Sequence, residues 1–521
     1  MKRILIIGAG PAGLTTAYYL LKNNKNDFEV IVLEKDNFVG GISRTIDFNG
    51  YRMDTGIHRF FSKSDEINKI WNEVLPLQSK PAYDELLLNK KRDYSNDGSD
   101  PENDEKSLLI KDRITRIFYG RKFYDYPVSL NFTTISNMGF FNIIKAGCSY
   151  LKATIIKLPE DSLENFYINR FGKVLYQMFF ESYTEKVWGI HPSKISADWG
   201  AQRVKGLSIS KVISDFFKKS LKLKKNNSSE TSLIEQFVYP KLGAGQMFEE
   251  MKNEIEKLGG KVYLNTEVDK IIVSENKISK IICYQDGKEK EIDIDVLVSS
   301  MPIKNLMLGL KNTIVPEDIY NSAINLPYRE FMSVGIVTDK LKLKNTTKIK
   351  TPMDIVPDSW IYVQEPDVKM GRLQIFNNWS PYIFKNKEDI NKKVFISFEY
   401  FCSENDEYWN MSDDDFINFA IDEAEKIGLI DKKNVEEKIR VKIPKAYPAY
   451  FGTYDKIDDI IKYLDGFENL YCVGRNGQHR YNNMDHSMLT GIEAAKLILE
   501  NNTCKDILWK VNTEKEYHEK K

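Results

Sequence analysis

Ile4-Leu5-Ile6-Ile7-Gly8-Ala9-Gly10-Pro11-Ala12-Gly13, with Phe28-Glu29-Val30-Ile31-Val32-Leu33-Glu34 downstream, is the stretch from which the fold is read. An apolar run ends at a glycine-rich turn, a helical stretch follows from Leu14 to Lys22, and a second apolar run ends on an acid. This is a strand–turn–helix–strand unit. Gly8 permits the tight turn, Gly10 lets backbone approach a pyrophosphate, and Gly13 lets the helix pack on the sheet. The helix N-terminus then faces the negative charge. Glu34 stands at the distance along the chain expected of a carboxylate that holds a ribose, and it favours a 2′-hydroxyl over a 2′-phosphate.

Working outward, the chain has 521 residues, 42% of them hydrophobic, enough for a large core. At ~150 residues per domain this predicts two to four domains. Lys+Arg and Asp+Glu are each 75, so the formal net charge is zero. This argues against a general nucleic-acid binder, which needs a basic excess, and leaves room for a local basic pocket for one anionic ligand. Cys148, Cys283, Cys402, Cys472 and Cys504 form no CxxC pair, which reads as reduced thiols in a cytoplasmic protein. His58, His191, His479, His486 and His518 are too scattered for a local metal motif, so no metal is assigned. No apolar run approaches the ~20 residues of a membrane span, so no stable membrane insertion is expected. Asn142 to Leu158 is amphipathic and carries Lys145, Lys152 and Lys157; it reads as a domain helix, with a membrane-surface helix as the alternative. Residues 90–106 and 222–232 are polar and read as mobile surface loops.

Residues 261–302 alternate strand and turn, with Asp286-Gly287 as a hairpin signal. Residues 330–400 read as strands with loops and 412–427 as a helix. Leu470-Tyr471-Cys472-Val473-Gly474-Arg475 is a further strand ending in Gly-Arg, and Met484-Asp485-His486-Ser487 opens a helix.

The pair Gly40-Gly41 followed by Ser43-Arg44, and the late Gly474-Arg475 with its helix, resemble the amine-oxidase and protoporphyrinogen-oxidase superfamily of FAD proteins. The resemblance implies FAD, held by Gly8, Gly10, Gly13, Glu34, Lys35, Gly41, Arg44, Gly474, Arg475, Asp485, His486 and Ser487. It implies an α/β fold: a Rossmann-type FAD domain of the glutathione reductase kind, with a helical insertion and a strand-rich substrate domain. The expected layout is residues 1–110, 233–302 and 440–500 for FAD, 111–232 mainly helical, 303–439 strand-rich, and 501–521 a polar, frayed tail.

Within that superfamily, segments dispersed over nearly the whole chain resemble the UDP-galactopyranose mutase family: Met53 to Phe61, Phe123 to Pro127, Lys186 to Ile190, Trp199 to Val204, Arg372 with Phe376 to Tyr382, and Arg475 to Ser487. The resemblance implies catalytic roles for His58, Arg203 and Arg372, the two arginines holding a diphosphate, and substrate contacts from Tyr362, Tyr447, Tyr481 and Asn378. The implied reaction is a redox-neutral pyranose/furanose isomerisation of a UDP-hexose through a flavin N5–sugar adduct, in cell-surface polysaccharide synthesis. The implied partners are a nucleotide-sugar and, transiently, NAD(P)H or another reductant. Gly56-Ile57-His58 departs from the Gly-Gly-His of that family. An FAD-dependent oxidoreductase of the protoporphyrinogen oxidase or amine oxidase type is the alternative, and a flavin-free binding module resembling Rab GDP-dissociation inhibitors is a third reading.

Overall fold

Continuous apolar runs make strands that are covered on both faces. In the computed structural model, which describes residues 1–23, 27–126, 128, 132–197, 236–311 and 315–511, Lys2–Ile7 is the middle strand of a five-stranded parallel sheet. Val296–Ser299 and Leu470–Cys472 lie on one side of it, Phe28–Leu33 and Lys261–Tyr263 on the other. Three stretches far apart in sequence thus build one sheet. The helix Pro11–Asn23 lies between the helices Met484–Leu499 and Gly245–Lys257, sealing one face with Leu14, Ala17 and Met251.

A four-stranded sheet stands beside it, built on the hairpin Lys277–Gln285 and Lys288–Asp293. Asp286 and Gly287 both have positive φ at its turn (49° and 78°), as a tight two-residue hairpin requires. A seven-stranded sheet forms the other half of the molecule, in the order Val435–Pro448, Tyr328–Thr338, Val394–Cys402, Arg372–Ile375, Trp360–Val363, Thr115–Tyr119 and Lys122–Asp125. The helix Asp413–Lys426 closes its apolar face with Phe416, Ala420 and Ala424. The helices Phe132–Met138, Phe140–Ile155, Leu163–Tyr176 and Ser182–Trp188 make a helical layer over one end.

Several expected boundaries shift. Thr115–Tyr119 and Lys122–Asp125 are strands of the large sheet, so the helical part begins at Phe132 and not at residue 111. The strand Val435–Pro448, bulged between Ile443 and Tyr447, belongs to the large sheet, so that sheet runs past residue 440. Residues 90–106 are not a loose loop: buried Glu85 accepts from Arg92 Nε at 2.6 Å and Tyr94 Oη at 3.0 Å, and Ser99 Oγ bonds Ser107 Oγ at 2.7 Å. The tail is docked as far as Trp509. Asp506–Lys510 is helical, Leu508 is buried, and Trp509 Nε1 donates to Asp465 at 3.0 Å. Arg203, Trp199 to Val204 and residues 222–232 lie outside the described residues.

Candidate active site

A cavity of about 1980 Å³ runs from the C-terminal ends of the parallel strands to the large sheet. Single-ligand sites hold roughly 300–1,000 Å³, so this one has room for a dinucleotide and a second ligand.

At the parallel-sheet end the glycines have distinct reasons to be glycine. Gly8 has φ 98°, and a Cβ there would run into Ser300 Oγ. A Cβ on Gly13 would strike the Gly8 carbonyl, so that position serves helix packing and does not line the cavity. Gly10 and Gly41 face each other, with a Gly41 Cβ only 3.4 Å from Gly10 Cα, and both line the cavity. The helix Pro11–Asn23 opens there with no acid in its first turn, leaving its N-terminal amides to an anion. Glu34 Oε2 accepts from Ala9 N at 2.8 Å and Oε1 from Asp36 N at 3.1 Å. Burial pushes the Glu34 carboxyl above its ordinary pKa against those two bonds.

Arg44 lines the same end and lies over the Phe38 ring at 4.1 Å. Its Nε is buried with no hydrogen-bond partner among the described residues, and burial lowers its pKa. A buried guanidinium with an unmet donor beside a glycine cradle fits a diphosphate. Lys35, Gly474, Arg475, Asp485, His486 and Ser487 also line the cavity. Gly474 has φ 77°, and a Cβ on it would come within 2.9 Å of Ala12 Cβ. Ser487 Oγ donates to Asn482 Oδ1 at 2.8 Å, and His486 is engaged in capping the helix Met484–Leu499 through Asn483. These residues fit FAD: a diphosphate cradle, a ribose acid and a helix N-terminus.

The other end is aromatic and cationic. Arg372 and Glu399 stand opposite each other on neighbouring antiparallel strands, and Arg372 Nε donates to the Glu399 carboxylate. Gln374 Nε2 donates to the second Glu399 oxygen at 2.9 Å. Arg372 Nη2 donates to Tyr447 Oη at 2.9 Å, and the guanidinium lies over Phe401 at 5.0 Å. Burial alone would lower the pKa of Arg372; Glu399 beside it holds it well above its ordinary value. Tyr447 and Tyr481 are stacked, centroids 5.7 Å apart and planes at 13°. Arg475 lies over both rings and donates to the Ala446 and Asn482 carbonyls at 2.9 and 2.6 Å. Tyr362 packs against Tyr126 at 4.6 Å and meets Tyr183 edge-on.

His58 lies between the two ends. Its ring bonds the Ile42 carbonyl, and Nε2 has no partner among the described residues. Burial, with Arg475 and Arg372 nearby, lowers its pKa to about 3, so it is neutral at physiological pH.

One expected substrate residue points elsewhere. Asn378 does not line the cavity; its Nδ2 donates to Val356 O at 3.0 Å and Asp358 O at 2.8 Å, tying a 3-10 turn to the neighbouring loop. A segment match gives a position in the chain and not a side-chain direction. Glu399, Arg59 and Arg113 were missed. Arg59 and Arg113 line the cavity and lie near the Trp360 ring, at 6.0 and 5.6 Å. Glu399 has no motif around it; only strand pairing sets it beside Arg372.

Glu164, Glu181 and His191 bring potential ligand atoms within 4.8 Å of one another. His191 Nδ1 lies 2.8 Å from Ser193 Oγ and 3.2 Å from Ser193 N, and Nε2 faces Glu181 at 3.5 Å.

With this geometry in place, the comparisons with known proteins decide the family. The model of the flavin-containing amine oxidoreductases matches residues 11–499. The chain belongs to this family. A structure of reduced UDP-galactopyranose mutase superposes with a TM-score of 0.74 at 19% identity, over 98% of this chain and 99% of that one. A redesigned putrescine oxidase superposes with a TM-score of 0.58 at 13% identity, over 96% and 99%. In sequence, the coproporphyrinogen III oxidase of Staphylococcus aureus is 22% identical over 306 residues, 57% of this chain and 60% of that protein. The chain therefore matches about three fifths of the length of that curated relative.

Proposed function

We propose that this flavin-containing amine oxidoreductase family member is an FAD-dependent sugar-nucleotide mutase that interconverts pyranose and furanose forms of a UDP-hexose, with NAD(P)H or another reductant supplying the reduced cofactor. The observation that carries the reading is the second cationic site, Arg372 clamped by Glu399 and Tyr447 in the cavity that holds the glycine cradle. A sugar nucleotide brings a diphosphate that must be held while the bond to the sugar breaks and must still be in place when it re-forms. The flavin, when bound, supplies the electron-rich ring nitrogen that such chemistry uses.

The protein's own groups position and shield. Arg372 cannot swing away, because Nε and Nη2 are both committed. Tyr447 accepts from Arg372, which leaves its own proton to donate to a phosphate oxygen. The Tyr481 ring keeps Tyr447 from turning. Neutral His58 offers Nε2 as one hydrogen-bonding atom without adding a charge. Arg203 takes the role of second diphosphate cation in this reading. A product that is a furanosyl nucleotide would feed cell-surface polysaccharide synthesis.

The test is chromatographic. Flavin-loaded protein reduced with dithionite is incubated with UDP-, GDP- and dTDP-hexoses, and the products are separated as pyranose and furanose forms. Conversion of one of them, lost in Arg372→Ala with flavin retained, is the expected result. One observation favours a second reading: Glu399 already neutralises Arg372, and Tyr126, Phe331 and Tyr362 give the cavity an aromatic wall suited to a flat apolar substrate. Absence of any furanose despite full flavin loading would turn the assignment to an oxidoreductase.

A further inference from the structure

The helix Phe140–Ile155 has two apolar faces, and only one is covered. Ile143, Ala146, Tyr150 and Ala153 recur at helical spacing on the face turned to the helix Leu163–Tyr176. Gly172 lets the two backbones meet at Ser149 and Tyr150. On the opposite side Phe140 is 72% exposed, Phe141 78%, Ile144 48%, Leu151 61% and Ile155 82%. At 3.6 residues per turn these five fall within an arc of roughly 100°. Ile156 (56%) and Leu158 (36%) extend the patch past the helix end. An apolar stripe this long on solvent marks a contact surface, because scattered single residues are the norm.

Charge indicates what covers it. From Tyr126 through Pro159 the chain has no Asp or Glu, and its charged residues there are Lys145, Lys152 and Lys157. In a protein of zero net charge, that is a locally cationic segment. By helical spacing Lys145 and Lys152 lie within roughly 40° of the edge of the apolar arc. We infer that this helix lies on the surface of an anionic lipid bilayer, its aromatic and aliphatic stripe entering the headgroup boundary and its lysines meeting lipid phosphates. The helix has 16 residues, and no helix among the described residues is long and apolar enough to cross a membrane, so it rests in the interface plane. A second copy of the chain is the weaker occupant: self-pairing of this face would set lysine against lysine, with no acid between Tyr126 and Pro159 to compensate. The inference does not depend on the reaction catalysed.

The experiment is flotation of the full, flavin-loaded chain with vesicles of phosphatidylcholine alone, and of three parts phosphatidylcholine to one part phosphatidylglycerol. Binding to the anionic vesicles only, weakened by added salt, is the expected result. Phe140→Ser with Leu151→Ser and Ile155→Ser should weaken it by more than about tenfold, with flavin absorbance and melting temperature unchanged. Lys145→Gln and Lys152→Gln should each weaken it about fivefold. No flotation with either vesicle would overturn the inference. So would equal binding to both, or a dimer in light scattering that the serine variant makes monomeric.

Discussion

Arg372 and Glu399 are cross-strand partners in register, and the arginine donates Nε to a carboxylate that is fully buried. A buried pair of this kind contributes little net stability, yet removing one member strands the other's charge in a low dielectric. Its value lies in aim: the guanidinium plane is fixed, and Nη2 is placed on Tyr447.

Arg372→Ala should therefore cost ~3–5 kcal/mol of stability, measured by urea unfolding, because Glu399 is left unpaired. The double change Arg372→Met with Glu399→Leu should recover most of that loss. It should not recover turnover of a diphosphate substrate. Recovery of both would remove Arg372 from the site.

The cradle glycines should separate cofactor loss from fold loss. Gly10→Ala meets no atom of the protein nearer than 3.9 Å, so the protein should fold with its far-ultraviolet dichroism intact and purify without yellow colour. Gly13→Ala drives a methyl into the Gly8 carbonyl and should prevent soluble expression. Equal flavin content in Gly10→Ala and the parent protein would place the diphosphate elsewhere.

His479 is buried with φ 45°, bonds the Ala449 carbonyl at 3.2 Å, and burial lowers its pKa to about 4. A histidine whose folded pKa lies below its unfolded value of about 6.5 takes up its proton on unfolding. The stability it preserves is present above pH ~6.5 and is lost as the pH falls toward ~4. His479→Asn suits the left-handed backbone and lacks the proton. Denaturation of both proteins from pH 7 to 4 should show the parent losing up to ~1.4 kcal/mol per pH unit relative to the variant. Parallel curves would mean the ring is already protonated in the fold.

Asn378→Ala should leave the Michaelis constant for substrate unchanged and lower stability by ~1–3 kcal/mol, since the Val356 and Asp358 carbonyls lose their donor. A changed Michaelis constant with unchanged stability would return Asn378 to the substrate site.

Local order along the chain was enough to read the strand–turn–helix–strand unit that carries the glycine cradle. Gly8, Gly10, Gly13 and Glu34 are separated by one turn, one helix and one strand, and the steric demands of that unit allow few other residues. The hairpin at Asp286-Gly287 was legible for the same reason: positive φ at both positions selects those residue types. The Arg372 end of the cavity was legible only as positions. Glu399 reaches Arg372 because the strands Arg372–Ile375 and Val394–Cys402 pair antiparallel in one register, and a shift of one residue would turn Glu399 to the other face. Asn378 turned inward because two loop carbonyls needed a donor, and that need exists only once the chain is folded. The helix Phe140–Ile155 shows the same division. Its period and lysines can be read from the chain, but which of its two apolar faces is covered depends on where the helix Leu163–Tyr176 packs, a long-range contact that local spacing does not encode.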